Sequence, residues 1–511
     1  MTLGQLVDAL GQPAGHAGPP LDRAAGTAAT GVVYDSRRAA PGAVFVALRG
    51  QKADGAAFAE QAIARGAAVV VAETRPISEP RVPWIVVEDA RLALAKLAVA
   101  FFGDPSDSLA VVGVTGTNGK TTTAYLLRAI FEAAGMKCGL LGTVVYDVGA
   151  GDQEAVRTTP EAPDLQAMLR AMVDNGCRAA AMEVSSHALS LRRADGIRFA
   201  AAVFTNLTRD HLDFHGDMES YFAAKRRLFE MLPADAPAIV NVDDPAGGRL
   251  VPAVRRPVTF GIRQRADVMP QPFQLSLTGL RFTADTPRGP VTVQSPLVGQ
   301  PNVYNLLGAV ATGIALDLPI DAIEAGLARL GGVPGRFEIA SGPDDDVSVV
   351  VDYAHTDDAL KNLLETARAL SGGRLITVFG CGGDRDRTKR PLMGAVAGRM
   401  SDIVIVTSDN PRSEDPARIM EEVLRGIPGA DRAAGRQAKT QPAQGPQVHA
   451  IVDRAAAIGR AVDEARSGDL VIVAGKGHEK TQVIGDRALP FDDVAVAREA
   501  LRRRRARLSV Q

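Results

Sequence analysis

The segment 109–134 constrains the fold more than any other part of the sequence. An apolar run at 109–114 leads into a glycine loop, and a helical stretch begins at Thr121. Glycines let backbone N–H groups turn toward a phosphate, and the N-terminus of the helix adds positive potential. In this setting Lys120 can balance phosphate charge, and the Thr121 hydroxyl can bind Mg²⁺. The segment therefore predicts a nucleotide-binding loop between a strand and a helix.

The loop departs from the strict phosphate-loop spacing, because Val114 stands where the pattern requires its first glycine. A chance glycine turn would rarely supply a strand, a Lys-Thr-Thr sequence and a helix together. Kinases, GTPases, motors and ligases all use such loops, so other motifs must define the reaction. The residues predicted to contact the nucleotide here are Gly116, Thr117, Asn118, Gly119, Lys120, Thr121 and Thr122.

The chain has 511 residues, too many for a single hydrophobic core. Strand-like apolar runs alternate with helical stretches, which predicts mostly parallel sheets covered on both faces. We expect an α/β protein with three domains. These are a smaller α/β domain at 1–108, a central P-loop ATPase-like domain at 109–334 and a Rossmann-like doubly wound domain at 335–511. Within the third domain, the composition of 429–447 indicates a surface loop or insertion.

Charge and composition argue against several classes of protein. Lys plus Arg number 58 and Asp plus Glu 59, so the formal net charge of −1 creates no field for nucleic acid or anionic membrane. The three cysteines lack metal-pair spacing and fit a reducing compartment. The N-terminus has no basic signal region, and no apolar run reaches the roughly 18 residues that span a bilayer. We expect a cytoplasmic monomer acting on small molecules, without nucleic acid or membrane insertion.

Acidic and imidazole side chains follow two of the predicted strands. Glu183 comes directly after the buried run 179–182, where an acid beside a phosphate loop can hold Mg²⁺. The next strand leads into 205–215, which contains His211 and His215. The sequence has no HExxH motif and no cysteine cluster, which argues against a zinc enzyme.

Several motifs together resemble the Mur ligases, the family that builds the peptide of bacterial cell-wall precursors. The resemblance covers essentially the whole chain and is carried by 116–122, 183–187, 205–215, 221–225, 300–305, 335–338 and 351–355. It implies that CO₂ carbamylates Lys225, because a carbamate offers Mg²⁺ oxygens that an ammonium lacks. It also implies that Thr121, Glu183, His211 and Lys225 bind magnesium. By the same resemblance, the catalytic groups are Lys120, Lys225 and His211.

The resemblance also assigns residues that face the nucleotide from across a domain cleft. It implies that Asn302, Arg336 and Asp352 contact adenine, ribose or the γ-phosphate of ATP. The chain departs from the family at Asp357, which replaces a proline, and this alters the stiffness of the loop that follows Asp352.

Three loops of the third domain predict a pocket for the amine substrate. The segments 382–386, 408–412 and 475–479 follow three successive strands and should meet at one sheet edge. The Asp-Asn-Pro-Arg sequence at 409–412 resembles the signature of family members that use diaminopimelate. An arginine fork such as Arg412 can pair with the extra carboxylate of that amino acid, and Glu479 can meet an ammonium. The predicted amino-acid-binding residues are Arg385, Asp409, Asn410, Pro411, Arg412, Gly475 and Glu479.

The resemblance further implies a site for a nucleotide-linked peptide. The implied contacts to the uridine part are Ser36, Gln51, Lys52 and Ala53. Those to the muramoyl-dipeptide part are Thr158, Thr159, Ser185 and Arg193. Some relatives carry a glutamine where this chain has Leu191, so any contact from that side chain is lost or replaced.

The implied reaction joins a carboxylate to an amine. The D-glutamate γ-carboxylate of UDP-N-acetylmuramoyl-L-alanyl-D-glutamate attacks the γ-phosphorus of ATP, and diaminopimelate then attacks the acyl phosphate. Three alternatives stay open: a lysine-adding relative, a folylpolyglutamate synthetase-like ligase and an inactive nucleotide-gated binding protein. The uridine-type N-terminal segment and the Arg412 loop argue against the second. The intact set of Lys120, Thr121, Glu183, His211 and Lys225 argues against the third.

Overall fold

The computed structural model describes residues 1–50, 53–276, 278–429 and 445–509. Its strands form three large, mostly parallel sheets and two small antiparallel ones. Helices pack on the large sheets, which confirms the predicted α/β class. Gln51, Lys52 and most of the predicted insertion, residues 430–444, lie outside the described residues.

The first sheet has the order β1-β5-β4-β3-β2, with β1 antiparallel to its neighbour. Its strands are β1 (Gly15–Ala17), β2 (Gly31–Val33), β3 (Ala43–Val46), β4 (Val69–Ala72) and β5 (Trp84–Val86). The helices beside it are α1 (Leu3–Asp8), α2 (Ala59–Ala64) and α3 (Ala90–Phe102). Helix α3 begins at the Asp89 cap, whose carboxylate accepts from the Leu92 N–H, and ends at left-handed Gly103.

The central sheet has eight strands in the order β13-β12-β11-β6-β10-β7-β8-β9. They are β6 (Ala110–Thr115), β7 (Cys138–Leu141), β8 (Val145–Asp147), β9 (Asp152–Glu154), β10 (Ala179–Glu183), β11 (Phe199–Phe204), β12 (Ala238–Asn241) and β13 (Pro257–Phe260). Strand β6 lies between β10 and β11, and its side chains alternate between two cores. Val112 and Val114 enter one core, whereas Val111 enters the other. Burial on both faces explains why β6 is an uninterrupted apolar run.

Helices cover both faces of the central sheet. They are α4 (Lys120–Ala133), α5 (Ala162–Asp174), α6 (Ser186–Ser190), α7 (Leu212–His215), α8 (Met218–Glu230), α9 (Pro245–Leu250), α10 (Gln300–Ala315) and α11 (Ile320–Arg329). A small antiparallel sheet packs beside them and consists of β14 (Met269–Pro270), β15 (Leu280–Asp285) and β16 (Val291–Ser295).

The third large sheet has the order β17-β18-β22-β19-β20-β21. Its strands are β17 (Glu338–Ile339), β18 (Ser348–Asp352), β19 (Leu375–Phe379), β20 (Ile403–Thr407), β21 (Gln447–Ile451) and β22 (Leu470–Ala474). The helices are α12 (Asp357–Leu370), α13 (Lys389–Met400), α14 (Pro416–Leu424), α15 (Arg454–Glu464) and α16 (Asp493–Leu508), and β23 (Thr481–Ile484) pairs with β24 (Arg487–Pro490) in a hairpin. Separate cores on the two faces make this sheet doubly wound, as predicted.

The three loops predicted to hold the amine substrate do not follow three strands that are successive in the sequence, so that prediction is wrong. Strand β21 lies between β20 and β22 in the sequence, and it escaped prediction because its edge position leaves it half exposed and without an apolar run. In the sheet, however, β22, β19 and β20 are direct neighbours. The loops that follow these three strands therefore emerge side by side.

Contacts between the sheets bring their loops together. The Tyr34 hydroxyl donates to Asp164 at 2.7 Å, and Arg192 pairs with Asp89 at 2.5 Å, which joins the first sheet to the central one. Arg336 donates to the Thr121 hydroxyl at 3.1 Å, which joins the central and third sheets. Across the described ranges, no helix combines the length and apolar character that crossing a membrane requires.

Candidate active site

The glycine loop between β6 and α4 is shaped by close approach to neighbouring loops. Gly116 and Gly119 both have positive φ, at 151° and 88°. A Cβ on Gly116 would collide with the Thr205 hydroxyl, and one on Gly119 would collide with the Asn305 side chain. Only glycine fits these positions, so the backbone N–H groups at the start of α4 stay free to meet a phosphate.

Two lysines converge on one carbonyl of this loop. Lys120 Nζ donates to the carbonyls of Gly116 at 3.0 Å and Thr117 at 2.8 Å, and Lys225 Nζ donates to the Gly116 carbonyl at 2.7 Å. Lys225 is only 1% exposed and lies 4.4 Å from the centre of the Tyr221 ring. Burial and then the nearby Lys120 hold the pKa of Lys225 well below its usual value. Burial also lowers the pKa of Lys120.

Glu183 ends β10 directly beside the loop and is almost fully buried. Its carboxylate accepts hydrogen bonds from the Thr121 hydroxyl at 3.0 Å, the Thr143 N–H at 2.8 Å and the Thr143 hydroxyl at 3.1 Å. These donors compensate the desolvation of the buried charge. The same contacts place a carboxylate beside the hydroxyl that the sequence predicts to bind metal.

His211 lies at the opposite side of the loop, in a left-handed conformation with φ 54°. Its Nε2 is 3.3 Å from a carboxylate oxygen of Asp210, and its ring centre is 4.7 Å from that of His187. Burial, opposed by Asp210, lowers the pKa of His211 to about 3. The imidazole is therefore neutral near pH 7, the form that can bind a metal ion.

The side chains beside the glycine loop suit a magnesium ion. Within the ranges that the structure describes, no three His, Cys, Asp or Glu side chains meet closely enough to form a metal cage. Magnesium does not need one, since it keeps several waters and takes one or two protein ligands together with substrate phosphates. The hydroxyl of Thr121 and the carboxylate of Glu183, 3.0 Å apart, fit that requirement.

The third sheet contributes the opposite wall of a cleft of about 290 Å³. Arg336 reaches Thr121 and stacks 4.6 Å from the centre of the Tyr353 ring. The Asp352 carboxylate accepts from the N–H groups of Phe337 at 2.7 Å and Ala354 at 2.8 Å, and burial raises its pKa. The cleft thus meets the glycine loop on one side and Arg336 on the other.

Asn302 lines the same cleft from helix α10. Its amide donates to the Val298 carbonyl at 2.7 Å, and its oxygen accepts from Asn305 at 2.9 Å. A second space of about 500 Å³ opens beside it and shares Asn118, Gly119 and Asn305 with the first. The structure therefore brings the three residues predicted to face ATP from across the cleft, Asn302, Arg336 and Asp352, to one site.

Of the four residues predicted to hold the muramoyl-dipeptide, two line this cleft and two lie beside it. Thr158 and Ser185 line it, and the Thr159 hydroxyl donates to the carbonyl of Glu183 at 2.8 Å. Arg193 donates to the Thr159 carbonyl at 3.1 Å. Of the predicted uridine contacts, Ser36 bonds to Gln61 at 2.7 Å within the first domain and Ala53 is exposed there, whereas Gln51 and Lys52 are not described.

The three loops predicted to hold the amine substrate touch one another. The Asn410 amide donates to Glu479 at 2.7 Å, and Lys476 donates to the Asn410 oxygen at 3.0 Å and to Glu479 at 3.1 Å. Arg412 Nη1 donates to the Gly383 carbonyl at 2.7 Å. A Cβ on Gly475 would lie 3.2 Å from Asp409, and a Cβ on Gly383 would collide with the carbonyl of Pro411.

Arg412 is held in a left-handed conformation with φ 51°, which a non-glycine residue adopts only where its surroundings fix it. Its N–H donates to the Val483 carbonyl at 3.1 Å. Burial and then the charge of the exposed Arg385 lower its pKa. Asp409 is buried, and its Oδ1 lies 3.6 Å from the buried Lys476 ammonium. The pocket therefore offers the Arg412 guanidinium, backed by a buried pair of opposite charges.

Two buried cations of this pocket were not predicted from the sequence. Lys476 lies inside the Gly475–Glu479 motif. Its position between two glycines was the sequence feature that could have indicated a role in the pocket. Arg390 is fully buried on α13, where it bonds the Gly382 carbonyl at 3.2 Å and pairs with Glu414 and Glu422 at 2.8 Å. Its sequence context carries no signal, because an arginine on a helix is usually exposed.

The fold and the cleft define an ATP-dependent ligase, with a phosphate loop on one domain and a second substrate pocket on another. Family models match most of the chain: "Mur ligase family, catalytic domain" at 28–102, "Mur ligase middle domain" at 114–313 and "Mur ligase, glutamate ligase domain" at 335–477. The chain belongs to the Mur ligase family.

Individual relatives support the same assignment. The chain is 48% identical over 506 residues to UDP-N-acetylmuramoyl-L-alanyl-D-glutamate–2,6-diaminopimelate ligase of Solibacter usitatus (strain Ellin6076), with 98% of each chain covered. A solved structure of a ligase with that name is 35% identical, with TM-score 0.65 and 93% of this chain and 95% of that chain covered. The structure of a MurF ligase from Thermotoga maritima in complex with ADP shares the fold at 20% identity, with TM-score 0.61 over 93% of this chain and 99% of that chain.

Proposed function

We propose that this ligase adds diaminopimelate to the D-glutamate γ-carboxylate of UDP-N-acetylmuramoyl-L-alanyl-D-glutamate, in the synthesis of peptidoglycan precursors. The observation that carries the proposal is the meeting of three loops around Arg412, Asn410 and Glu479 in a chain 48% identical to a ligase of that name. A carboxylate-binding arginine beside a paired acid suits an amino acid with two head groups.

The phosphate side of the cleft carries out the first step. Backbone N–H groups at the start of α4 and the Lys120 ammonium bind the β- and γ-phosphates of ATP, and Arg336 approaches from the opposite wall. An oxygen of the substrate γ-carboxylate attacks the γ-phosphorus, and the bond to the β-phosphate oxygen breaks. ADP leaves, and an acyl phosphate remains beside Thr158 and Ser185.

Magnesium fits the donors at this side. Thr121 would hold one ion together with phosphate oxygens and waters, Glu183 and His211 would belong to a second site, and a carbamate on Lys225 would offer its oxygens to magnesium. Bound there, magnesium neutralises charge on the transferring phosphoryl group. A neutral Lys225 amine can bond to the carbon of CO₂ and release one proton, and its lowered pKa supports that step.

The third domain supplies the amine. Arg412 pairs with a carboxylate of diaminopimelate and Glu479 with an ammonium, so the second amino group is directed toward the acyl phosphate. The neutral nitrogen attacks the acyl carbon, the tetrahedral intermediate collapses, and phosphate leaves as the amide forms. Closure of the two domains excludes water from the activated carbonyl.

We also infer domain boundaries near residues 108 and 334, in agreement with the three family matches at 28–102, 114–313 and 335–477. The first domain would hold the uridine part of the substrate through Ser36, Gln51, Lys52 and Ala53. Because ATP and the nucleotide-linked peptide are both cytoplasmic metabolites, we place the reaction in the cytoplasm, with a single chain carrying all three domains.

A two-part assay tests this function. The purified chain is incubated with ATP, Mg²⁺ and the nucleotide-dipeptide, with one diamino acid of a panel in each reaction. Control reactions omit the dipeptide or the diamino acid, and phosphate release and product mass are recorded in all of them. We expect phosphate release only when the dipeptide and diaminopimelate are both present, with a product heavier by one diaminopimelate less one water. Absence of product with the dipeptide and diaminopimelate would refute the proposal, as would phosphate release in a parallel reaction in which a folate replaces the dipeptide.

A further inference from the structure

Arg209 makes a direct contact between the central and third domains. It lies in the loop after β11, two residues before His211. Its Nη2 donates to the Thr388 hydroxyl at 2.6 Å and lies 3.5 Å from a carboxylate oxygen of Asp386. Both acceptors follow Arg385 in the loop after β19. One side chain thus joins the loop of the phosphate side to a loop of the amine pocket.

Each end of this contact is held in place without Arg209. On the central domain, the Thr208 N–H donates to the Thr117 hydroxyl at 3.0 Å, and that hydroxyl is 3.1 Å from the Thr208 carbonyl. On the third domain, Asp386 Oδ1 accepts from the Thr388 N–H at 2.8 Å and from its hydroxyl at 2.6 Å. Because neither loop depends on Arg209 for its own shape, the contact serves the relation between the loops.

Two further contacts between the two domains lie beside the glycine loop. Arg336 reaches Thr121, and the Asn118 amide donates to Asp358 at 3.1 Å. Arg336, Thr121 and Asn118 all line the cleft that this loop borders. Arg209 differs because its acceptors continue the chain of Gly382–Asp386, whose Gly383 carbonyl binds Arg412.

We propose that Arg209 is a positioning residue that fixes the amine pocket relative to the acyl phosphate. The inference rests on the proposed function and deepens it. Misplacing reactants by about 1 Å can cost about 10²-fold in rate. Loss of Arg209 therefore slows attack of the amine on the acyl phosphate and leaves formation of the acyl phosphate in place.

Two assays on the full chain separate these steps. The first measures amide formation with diaminopimelate. The second replaces that amine with hydroxylamine, whose nitrogen attacks the acyl carbon as phosphate leaves, so that a hydroxamate reports acyl phosphate formation without the pocket. We expect Arg209→Ala to slow amide formation by about 10- to 100-fold while hydroxamate formation stays close to wild type. The matched control is Arg170→Ala, because that central-domain arginine is 34% exposed, against 36% for Arg209, and among the described residues it pairs with Asp174 of its own helix alone.

Two further variants sharpen the test. Arg209→Lys keeps a charged donor and should recover part of the lost rate, and it replaces the alanine variant if that one fails to fold. Thr388→Val removes the hydroxyl that accepts from Arg209 and that also donates to Asp386, so in the double variant it should add only the effect of the lost Asp386 bond to the defect of Arg209→Ala.

The inference is overturned if Arg209→Ala ligates at the wild-type rate, or if amide and hydroxamate formation fall by the same factor. A wild-type chain that forms neither product would instead refute the proposed function.

Discussion

The phosphate side and the amine side of the cleft use charge in opposite ways. On the phosphate side, the Lys120 ammonium bonds to the carbonyls of Gly116 and Thr117 rather than to an acid, so its positive charge stays available for an anion. On the amine side, charges are already paired, as Lys476 with Glu479 and Arg390 with Glu414 and Glu422. The first side is built to receive a highly charged ligand, and the second to select one particular arrangement of charges.

Because of this difference, substitutions on the two sides should affect different properties of the enzyme. Removing Lys120 from the phosphate side takes away attraction that the ATP phosphates require, and removing Lys225 takes away a proposed magnesium ligand, so activity should fall for every amine. Removing one charged side chain from the amine side leaves its ion-pair partner without a counter-charge. The selectivity between amine substrates should therefore change more than the rate of acyl phosphate formation.

The largest effect is expected from Lys225→Ala. This change removes the amine that accepts CO₂, and ligation should fall by about 10²- to 10³-fold or more, with partial recovery when short carboxylates such as acetate are added. Rates of phosphate release measure both effects. The control is Arg226→Ala, which removes the next side chain of α8, one that pairs with Glu230 of the same helix. Full activity of the Lys225 variant would eliminate the carbamate.

A smaller but more selective effect is expected from Arg412→Lys. The ammonium keeps the charge but cannot form the two parallel bonds of a guanidinium, so kcat/KM for diaminopimelate should fall by about 100-fold, or about 3 kcal/mol. The KM for ATP should stay unchanged. Arg460→Ala, on the exposed face of α15, should alter neither constant. An equal fall in affinity for ATP and diaminopimelate would contradict the division of labour between the two sides.

Glu183→Gln tests the metal site on the phosphate side. The amide keeps the shape of the side chain and loses its charge, so the Mg²⁺ concentration for half-maximal activity should rise by about tenfold. Titration of activity with Mg²⁺ provides the measurement, and Glu132→Gln at the far end of α4 is the control. An unchanged Mg²⁺ requirement would remove Glu183 from the site.

The smallest effect concerns stability on the amine side. The hydrogen bond from Arg390 lowers the pKa of Glu414 from 4.5 to about 2. A lowered pKa stabilises the fold above the unfolded value of 4.5, and that stabilisation is lost as the pH falls toward about 2. Urea midpoints measured from pH 7 downward should therefore depend less on pH in Glu414→Gln than in the wild type. Glu499→Gln, which removes an exposed ion pair on α16, should match the wild type. If the urea midpoints of all three chains change equally with pH, the ion pair between Arg390 and Glu414 does not stabilise the fold.

The fold was predictable wherever a strand is buried on both faces. Strands such as β6 and β10 are uninterrupted apolar runs, and the runs at 109–114 and 179–182 predicted both. Edge strands escaped because they lack such runs; β9 is fully exposed and β21 only partly buried. An edge strand with polar side chains lacks the apolar pattern that predicts a strand, so its sequence resembles that of a loop.

The site was predictable where topology fixes it. Loops at the carboxyl edges of parallel strands meet, so Glu183 and Arg412 could be assigned from their positions after strands. The burial of Lys225, Lys476 and Arg390 could not be derived from pattern, because cations are usually exposed and their burial depends on partners distant in sequence. Lys225 was found through the family resemblance alone.

The central claim is that a pocket selective for a doubly headed amino acid faces the activated acyl group. It is tested most directly by incubating the wild-type chain with ATP, Mg²⁺, the nucleotide-dipeptide and equal amounts of diaminopimelate and lysine in one tube. We expect the mass spectrum of the products to contain the diaminopimelate adduct in large excess. Equal amounts of the two adducts, or a predominant lysine adduct, would contradict it.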